Sequence, residues 1–555
     1  MEPAAAQQDN IVRSAGIVSL AVLGSRLTGL LREIVMARLF GAGMAYDAFL
    51  LAFRIPNLTR DLFAEGALSS AFVPTFTEYL SRRGRAAAVE LANLVATALI
   101  LIVGALCLLG IWLSPALVGL LAPGWAADAQ KFALAVKMTR VMFPFLLLVA
   151  LAAQAMGILN ACNQFGLPAS ASTFFNLGSL GFGLLIGFVA GPRLGLLPIE
   201  GMAYGVLLGG ALQLGGQVPS LLRRGFRYRP RIQWSHPGLR RIIRLMAPAI
   251  IGSAAVQINV MVNTNFASLV MDPLRGANGP VSWLSYAFRF MQLPLGLFGV
   301  AIASATLPSV SRSAASGNLE EYRTTLSRSL GLVFLLTLPS SVGLAVLGGP
   351  MIGAIYEGGQ FAAYDTMQTA RALSAYAVGL AGYSAVKVLS PGFYALGDAR
   401  TPMLVSLASI LVNYLAALAL TRWAGLGHTG LALATSAVML FSVVALFCRM
   451  RNRVGGLQGR RLAASLIRIA LASALMGLAV EWCRRPIEEG LGVGRLARIV
   501  ELGVTVPLGA GVFYAACRAL RVAELEAARR ALAAPWRRLR RSGGLRRPES
   551  GGSAC

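Results

Sequence analysis

Apolar residues run along this chain in blocks of about twenty, separated by short polar stretches rich in arginine. Each block is long enough to cross the hydrocarbon core of a bilayer as a helix. The pattern predicts fourteen helices, near residues 11–36, 44–78, 88–120, 131–160, 166–190, 199–222, 240–269, 281–310, 322–348, 365–396, 401–422, 428–449, 462–482 and 496–520. The second is too long for one straight crossing, and Pro56, Gly66 and Pro74 predict breaks and an amphipathic end. A membrane β-barrel would read instead as alternating segments of about ten residues. The fold class is an all-α polytopic membrane protein.

Composition agrees: 56% of the 555 residues are hydrophobic and only 13% are charged, about half the share usual in soluble domains. The net charge of +27 would suit a nucleic-acid binder, but most of the excess sits in loops between apolar blocks. With the N-terminus inside, the inner loops hold 21 basic residues and the outer loops 8, the outer set including Arg38, Lys131 and Arg275. Basic residues collect on the cytoplasmic side, so both termini are expected there. Nine arginines from Arg521 onward predict a tail lying on anionic lipid. The opening "MEPAAAQQDNIVRSAG" is not basic and lacks a cleavage pattern, so the first helix is expected to stay.

Chemistry motifs are sparse. Six dispersed cysteines form no CxxC, and no GxxxxGK[ST], HExxH or Ser/His/Asp set occurs, which argues against an ATP-driven motor, a zinc hydrolase and an enzyme in general. No cofactor is expected. His236 and His428 fall at loop positions and read as surface residues, and "GLGVG" at 490–494 precedes no strand–helix unit.

The chain repeats itself. "SSAFVPTFTEYLSRRG" around Pro74 matches "ASATLPSVSRSAASGN" around Pro308, and "NACNQFGLP" matches "YALGDARTP", both at an offset of 234 residues. "AFR" recurs at 52–54 and 287–289. The expected organisation is an extension (1–10), a six-helix lobe (11–222), a basic cytoplasmic loop (223–239), a second six-helix lobe (240–450), two added helices (451–520) and a basic tail (521–555). Transporters built from parallel repeats hold substrate between the halves and alternate access by rocking them.

Charges inside the apolar blocks are the remaining signal. A charged side chain at a helix centre costs about 2.5–3.5 kcal/mol on insertion scales, so several together must line water or pair. Asp47, Arg54 and Asp61 are spaced by seven on the second helix and can share one face. Arg26 and Glu33 have the same spacing on the first, whereas Arg26 and Arg32 lie about 120° apart on a straight helix and reach one cavity only if it is wide or the helix loosens at Gly29. Arg60 and Glu65 follow, and Arg289 comes from the eighth helix. Simple ion pairing would account for Glu33, Asp47, Arg54 and Asp61. Arg26, Arg32 and Arg289 outnumber their local acids, and a surplus of guanidinium groups in a wet cavity suits a phosphate. Lys387, Arg371 and Arg140 are further intramembrane cations. Asn259, Asn263 and Gln257 suit either a coupling ion or helix–helix hydrogen bonds.

The stretch "SRLTGLLREIVMARLFGAGMAYDAFLLAFRIPNLTRDLFAEGALSSAFVPTFTEYL" resembles the opening of the MurJ/MviN lipid II flippases of the MOP exporter superfamily. "APAIIGSAAVQINVMVNTNFAS", "LPLGLFGVAIASATLPSVS" and "KVLSPGFYALGDARTP" fit the same family, so the resemblance covers roughly residues 11–520. It implies fourteen helices, two six-helix lobes in a V shape, and a lipid-facing groove from the added pair. It implies that undecaprenyl-diphosphate-linked disaccharide-pentapeptide moves from the inner to the outer leaflet of the bacterial inner membrane, with cell-wall synthesis proteins as further partners and a coupling ion or the membrane potential as energy source. The family's cavity arginines carry over to Arg26, Arg32, Arg60 and Arg289, its cavity acid to Asp47, and Glu65 lies in the matching "FAEGA"; Arg54 and Lys387 are additional contacts. Some members have an acid before the helix-eight arginine where this chain has Phe288. Other readings are a polysaccharide-lipid flippase, a cation-coupled drug exporter, or a scaffold for wall synthesis; a drug exporter should favour an acidic, aromatic cavity.

Overall fold

The computed structural model describes residues 2–60, 68–492, 494–526 and 528–529. Helix covers nearly all of the fourteen apolar windows, and among the described residues the only extended pairing is two isolated bridges. Among the described residues, eleven stretches are long and apolar enough to span a membrane, including Gly84–Trp112, Ala129–Ala161, Leu319–Tyr356 and Gly459–Leu491. The windows at 11–36 and 240–269, and the described parts of 44–78, are helical as well but fall outside that set.

Prolines behave differently from expectation. Pro56 lies inside the Met44–Arg60 helix and Pro74 inside Ser69–Arg82, so neither ends its helix; the hydrogen bonds they forgo are local losses. Gly66, Asp61 and Glu65 lie outside the described residues. The 281–310 window forms Pro280–Pro294, passes a wide π-helical turn at Leu295–Val300, and continues as Ala301–Ala315.

The described chain packs as two compact units. The first comprises Met1–Ser285, Ile355–Gln368 and Asn413–Leu431. Its tightest helix pair is Gly166–Leu184 against Pro198–Gly215. A Cβ on Gly205 would lie 2.4 Å from the Ser179 carbonyl oxygen, so the small residue is what lets these backbones meet. In lipid, where apolar burial drives little association, such close packing holds helices together. Asn176 donates to the Ser25 carbonyl at 3.1 Å, fastening the long Glu2–Phe40 helix to the same pair.

The second unit comprises Tyr286–Ala354, Thr369–Val412 and Ala432–Cys555. Its core joins Tyr322, Leu326, Leu330, Val388, Phe393, Leu446 and Met450, with the buried Tyr322 hydroxyl donating to the Gly392 carbonyl at 2.9 Å. The added pair, Gly459–Leu491 and Arg495–Ala519, packs on this unit through Leu335, Ile469, Ala472 and Cys517.

The "GDARTP" motif is a helix start. Asp398 accepts from the Thr401 N–H at 3.0 Å and the Thr401 hydroxyl at 2.7 Å, ahead of Arg400–Leu418. The Thr401 backbone bond, with its hydroxyl, holds the Asp398 carboxyl below the usual range. A depressed carboxylate stabilises the fold above its unfolded pKa, near 4, and the contribution fades as pH falls through the folded value. Asp398→Ala is expected to cost about 1 kcal/mol, read as a lower thermal midpoint at neutral pH that converges on wild type in acid.

Candidate functional site

Asp47 sits in the first turn of Met44–Arg60 and is fully buried. One carboxylate oxygen accepts from the Lys131 ammonium at 2.9 Å and the Gly279 N–H at 2.8 Å. The other accepts from the Ser282 N–H at 2.9 Å and the Ser282 hydroxyl at 2.5 Å. Asp47 thereby satisfies the opening amides of Pro280–Pro294, where the helix dipole favours an anion. Among the described residues, all of its carboxylate bonds go to these three residues. This corrects two expectations: Asp47 does not pair with Arg54, and its oxygens are taken up by Lys131, Gly279 and Ser282 instead of facing a wet cavity.

Lys131 is the larger surprise. Counted among outer-loop cations, it is instead completely buried. Besides Asp47 it donates to the Ala277 carbonyl at 2.8 Å and the Asn278 side-chain oxygen at 3.0 Å. It also lies 4.1 Å over the Trp125 ring. Asp128 caps the helix that carries it. The one available signal was that lysine occurs only three times in a chain that otherwise uses arginine.

Further ties at this end join early and late segments of the sequence within the first unit. Arg275 pairs with Asp365 at 2.9 Å and donates to the Ala42 carbonyl at 3.1 Å, while the Trp283 indole donates to Asp365 at 2.9 Å. Tyr364 donates to Asp272 at 2.8 Å. His428, expected at the surface, is buried; its ring contacts the Gln368 carbonyl at 3.1 Å and packs 4.9 Å from Trp283. His236 is half-buried against Tyr79. The turn at Gly41 meets the turn at 358–360, with the Gln360 N–H donating to the Arg38 carbonyl at 2.9 Å.

The arginines distribute as follows. Arg26 is exposed on Glu2–Phe40 and makes no ion pair among the described residues. Arg32 is half-buried, its guanidinium 5.4 Å from the Phe175 ring centre. Glu33, which shares a face with Arg26, accepts instead from the Tyr356 hydroxyl at 3.2 Å. Arg54 donates to the Thr264 hydroxyl at 2.6 Å, and Arg60 is half-buried at the end of its helix. These four belong to the first unit; Arg289, Lys387 and Arg371 belong to the second and are exposed there. Phe288 packs edge-on against Tyr376, ring centres 5.4 Å apart, and the Lys387 ammonium lies 5.5 Å from the Tyr383 ring. Arg140 is exposed. Among the polar residues of Pro237–Leu269, the Asn259 carbonyl accepts from Asn413 at 3.2 Å, a helix–helix bond. No group of three or more His, Cys, Asp or Glu suited to a metal occurs among the described residues.

The many-helix fold is shared with a solved structure, an inward-facing multidrug transporter of the MOP superfamily (TM-score 0.59, 16% identity, 80% of this chain and 95% of the other). Closer similarity comes from a lipid II flippase MurJ in an inward closed conformation, at TM-score 0.73 and 25% identity over 91% of this chain and 99% of the other. The family described as lipid II flippase MurJ matches residues 36–501. The lipid II flippase MurJ of Burkholderia cenocepacia is 34% identical over 510 residues, 91% of this chain and 96% of that one. A probable lipid II flippase MurJ of Rhizobium meliloti is 34% identical over 94% of this chain and 96% of its own. The chain therefore belongs to the lipid II flippase MurJ family.

Proposed function

We propose that this chain is a lipid II flippase of the bacterial inner membrane, moving the undecaprenyl-diphosphate-linked precursor from the inner to the outer leaflet by alternating access. Family membership over residues 36–501 is the observation that carries this reading. The chemistry supports it. Arg26 is an exposed guanidinium, without an ion pair among the described residues, in the apolar stretch Gly16–Leu31 of its helix. In our reading Arg26, Arg32, Arg60 and Arg289 meet the diphosphate, for which the two-pronged guanidinium suits better than an ammonium. The isoprenoid stays in lipid along the added helix pair. The family moves its substrate without transforming it, and no enzymatic role is assigned.

Both termini face the cytoplasm in this reading, with fourteen crossings. The strongly exposed tryptophans Trp112, Trp423 and Trp482 (74%, 81% and 83%) lie at or late in helices that then end outside, where indoles favour the membrane interface. A related drug exporter shares the fold, but such a cavity should lean acidic, and the cations here lean the other way.

Acute depletion in a host that depends on this protein tests the proposal. Lipid II accessible in the outer leaflet should fall while total lipid II rises. Unchanged outer-leaflet lipid II after depletion would overturn it and leave the polysaccharide-lipid flippase, drug exporter and scaffold readings.

A further inference from the structure

We propose that Lys131 is a positioning residue of the transport cycle, a latch whose buried ammonium holds one end of the first unit closed. The proposal rests on the alternating-access reading and goes beyond it by assigning a residue that takes no part in binding substrate. Lys131 stands on the Ala129–Met142 helix, and its three hydrogen bonds split between two segments: Asp47 in the first half of the repeat, and Ala277 and Asn278 in the second. Asp47 bridges in the same sense, from Lys131 to the Gly279 and Ser282 amides. One ion pair thus ties two segments of the first half to the opening turn of Pro280–Pro294.

Burial gives the latch its switching character. Both side chains are 0% exposed, so each has surrendered its hydration, and the pair's attraction offsets that loss only while the full set of hydrogen bonds is made. Separation would return both ions to water. The closed state is therefore held by geometry and lies close to balance with an open one. Removing one partner is different, because it strands the other charge in a dry site. Two neighbouring groups at this end are already engaged: Arg275 with Asp365, and Asp272 with Tyr364. None of them replaces Lys131 as the partner of Asp47.

The test is a distance measurement on the full-length protein in lipid nanodiscs without lipid II. Spin-labelled unnatural residues go at Ala127, just before the helix that carries Lys131, and at Leu274, just before its acceptors Ala277 and Asn278; both are exposed. Lys131→Met should raise the ratio of long to short separations at least tenfold over wild type. Asp47→Asn combined with Lys131→Met removes the ion pair without stranding a charge, and its long population should stay above wild type; opening that came only from a stranded charge would disappear in it. Asn278→Ala keeps the ion pair and removes one acceptor, and should raise the ratio a few-fold; it carries the test if Lys131→Met does not insert. Wild-type distributions in Lys131→Met, in Asn278→Ala where that variant stands in, or in the double variant, overturn the proposal. The readout involves no substrate, so it stands or falls separately from the lipid II assignment.

Discussion

Arg26→Glu should abolish growth in cells that depend on this protein, at a wild-type level of inserted chain. Arg26 is exposed on its helix, has no ion pair among the described residues, and stands where the family resemblance puts a diphosphate contact. Reversal replaces attraction for the diphosphate with repulsion, and like charges brought together cost several kcal/mol. Since about 1.4 kcal/mol is a factor of ten, a loss of about 100-fold or more in outer-leaflet delivery follows. Arg26→Lys should fall between, because the charge survives while the planar fork is lost. Arg227→Glu, an equally exposed reversal in the basic loop, serves as control and should support growth. Wild-type delivery by Arg26→Glu would remove the phosphate-contact reading for this residue.

Gly359→Ala should destabilise the protein far more than Gly317→Ala, although both glycines adopt left-handed backbone, at φ +59° and +69°. The new methyl at 359 would sit 2.2 Å from the Arg38 carbonyl oxygen, whereas nothing lies within 4 Å of the one at 317. Left-handed strain costs about 1–3 kcal/mol at either site, and overpacking adds about 1–3 kcal/mol only at 359. The obstacle is backbone, which has no rotamer to escape into. Because Gln360 also donates to that same Arg38 carbonyl, the clash should part the two turns. Thermal midpoints of the two variants in one detergent decide the matter, and equal midpoints would mean that the turns do not pack this closely.

The two experiments probe different parts of one design. Arg26 is exposed on its helix, and Arg32 sets its guanidinium over the Phe175 ring. The acids predicted to neutralise the cations are committed elsewhere: Glu33 to Tyr356, Asp47 to Lys131, Gly279 and Ser282. In our reading that division leaves Arg26 for an anion while Glu33 and Asp47 fasten helices.

The helices and their broad limits were legible in the sequence, because a bilayer requires runs of about twenty apolar residues whatever the fold. The repeat and the family motifs were legible for the same reason: they are one-dimensional. Partner choice was not. Spacing by seven put Asp47 beside Arg54 and Glu33 beside Arg26, which is correct for faces of an isolated helix. Tertiary packing brought Lys131 and the Ser282 amide to Asp47 from residues far along the chain, and burial then made those bonds decisive over the local ones. Lys131 and His428 read as loop residues because sequence position says nothing of which loops fold inward; only the packed structure decides which charges lose their water, and a charge without water must take the nearest complete set of partners.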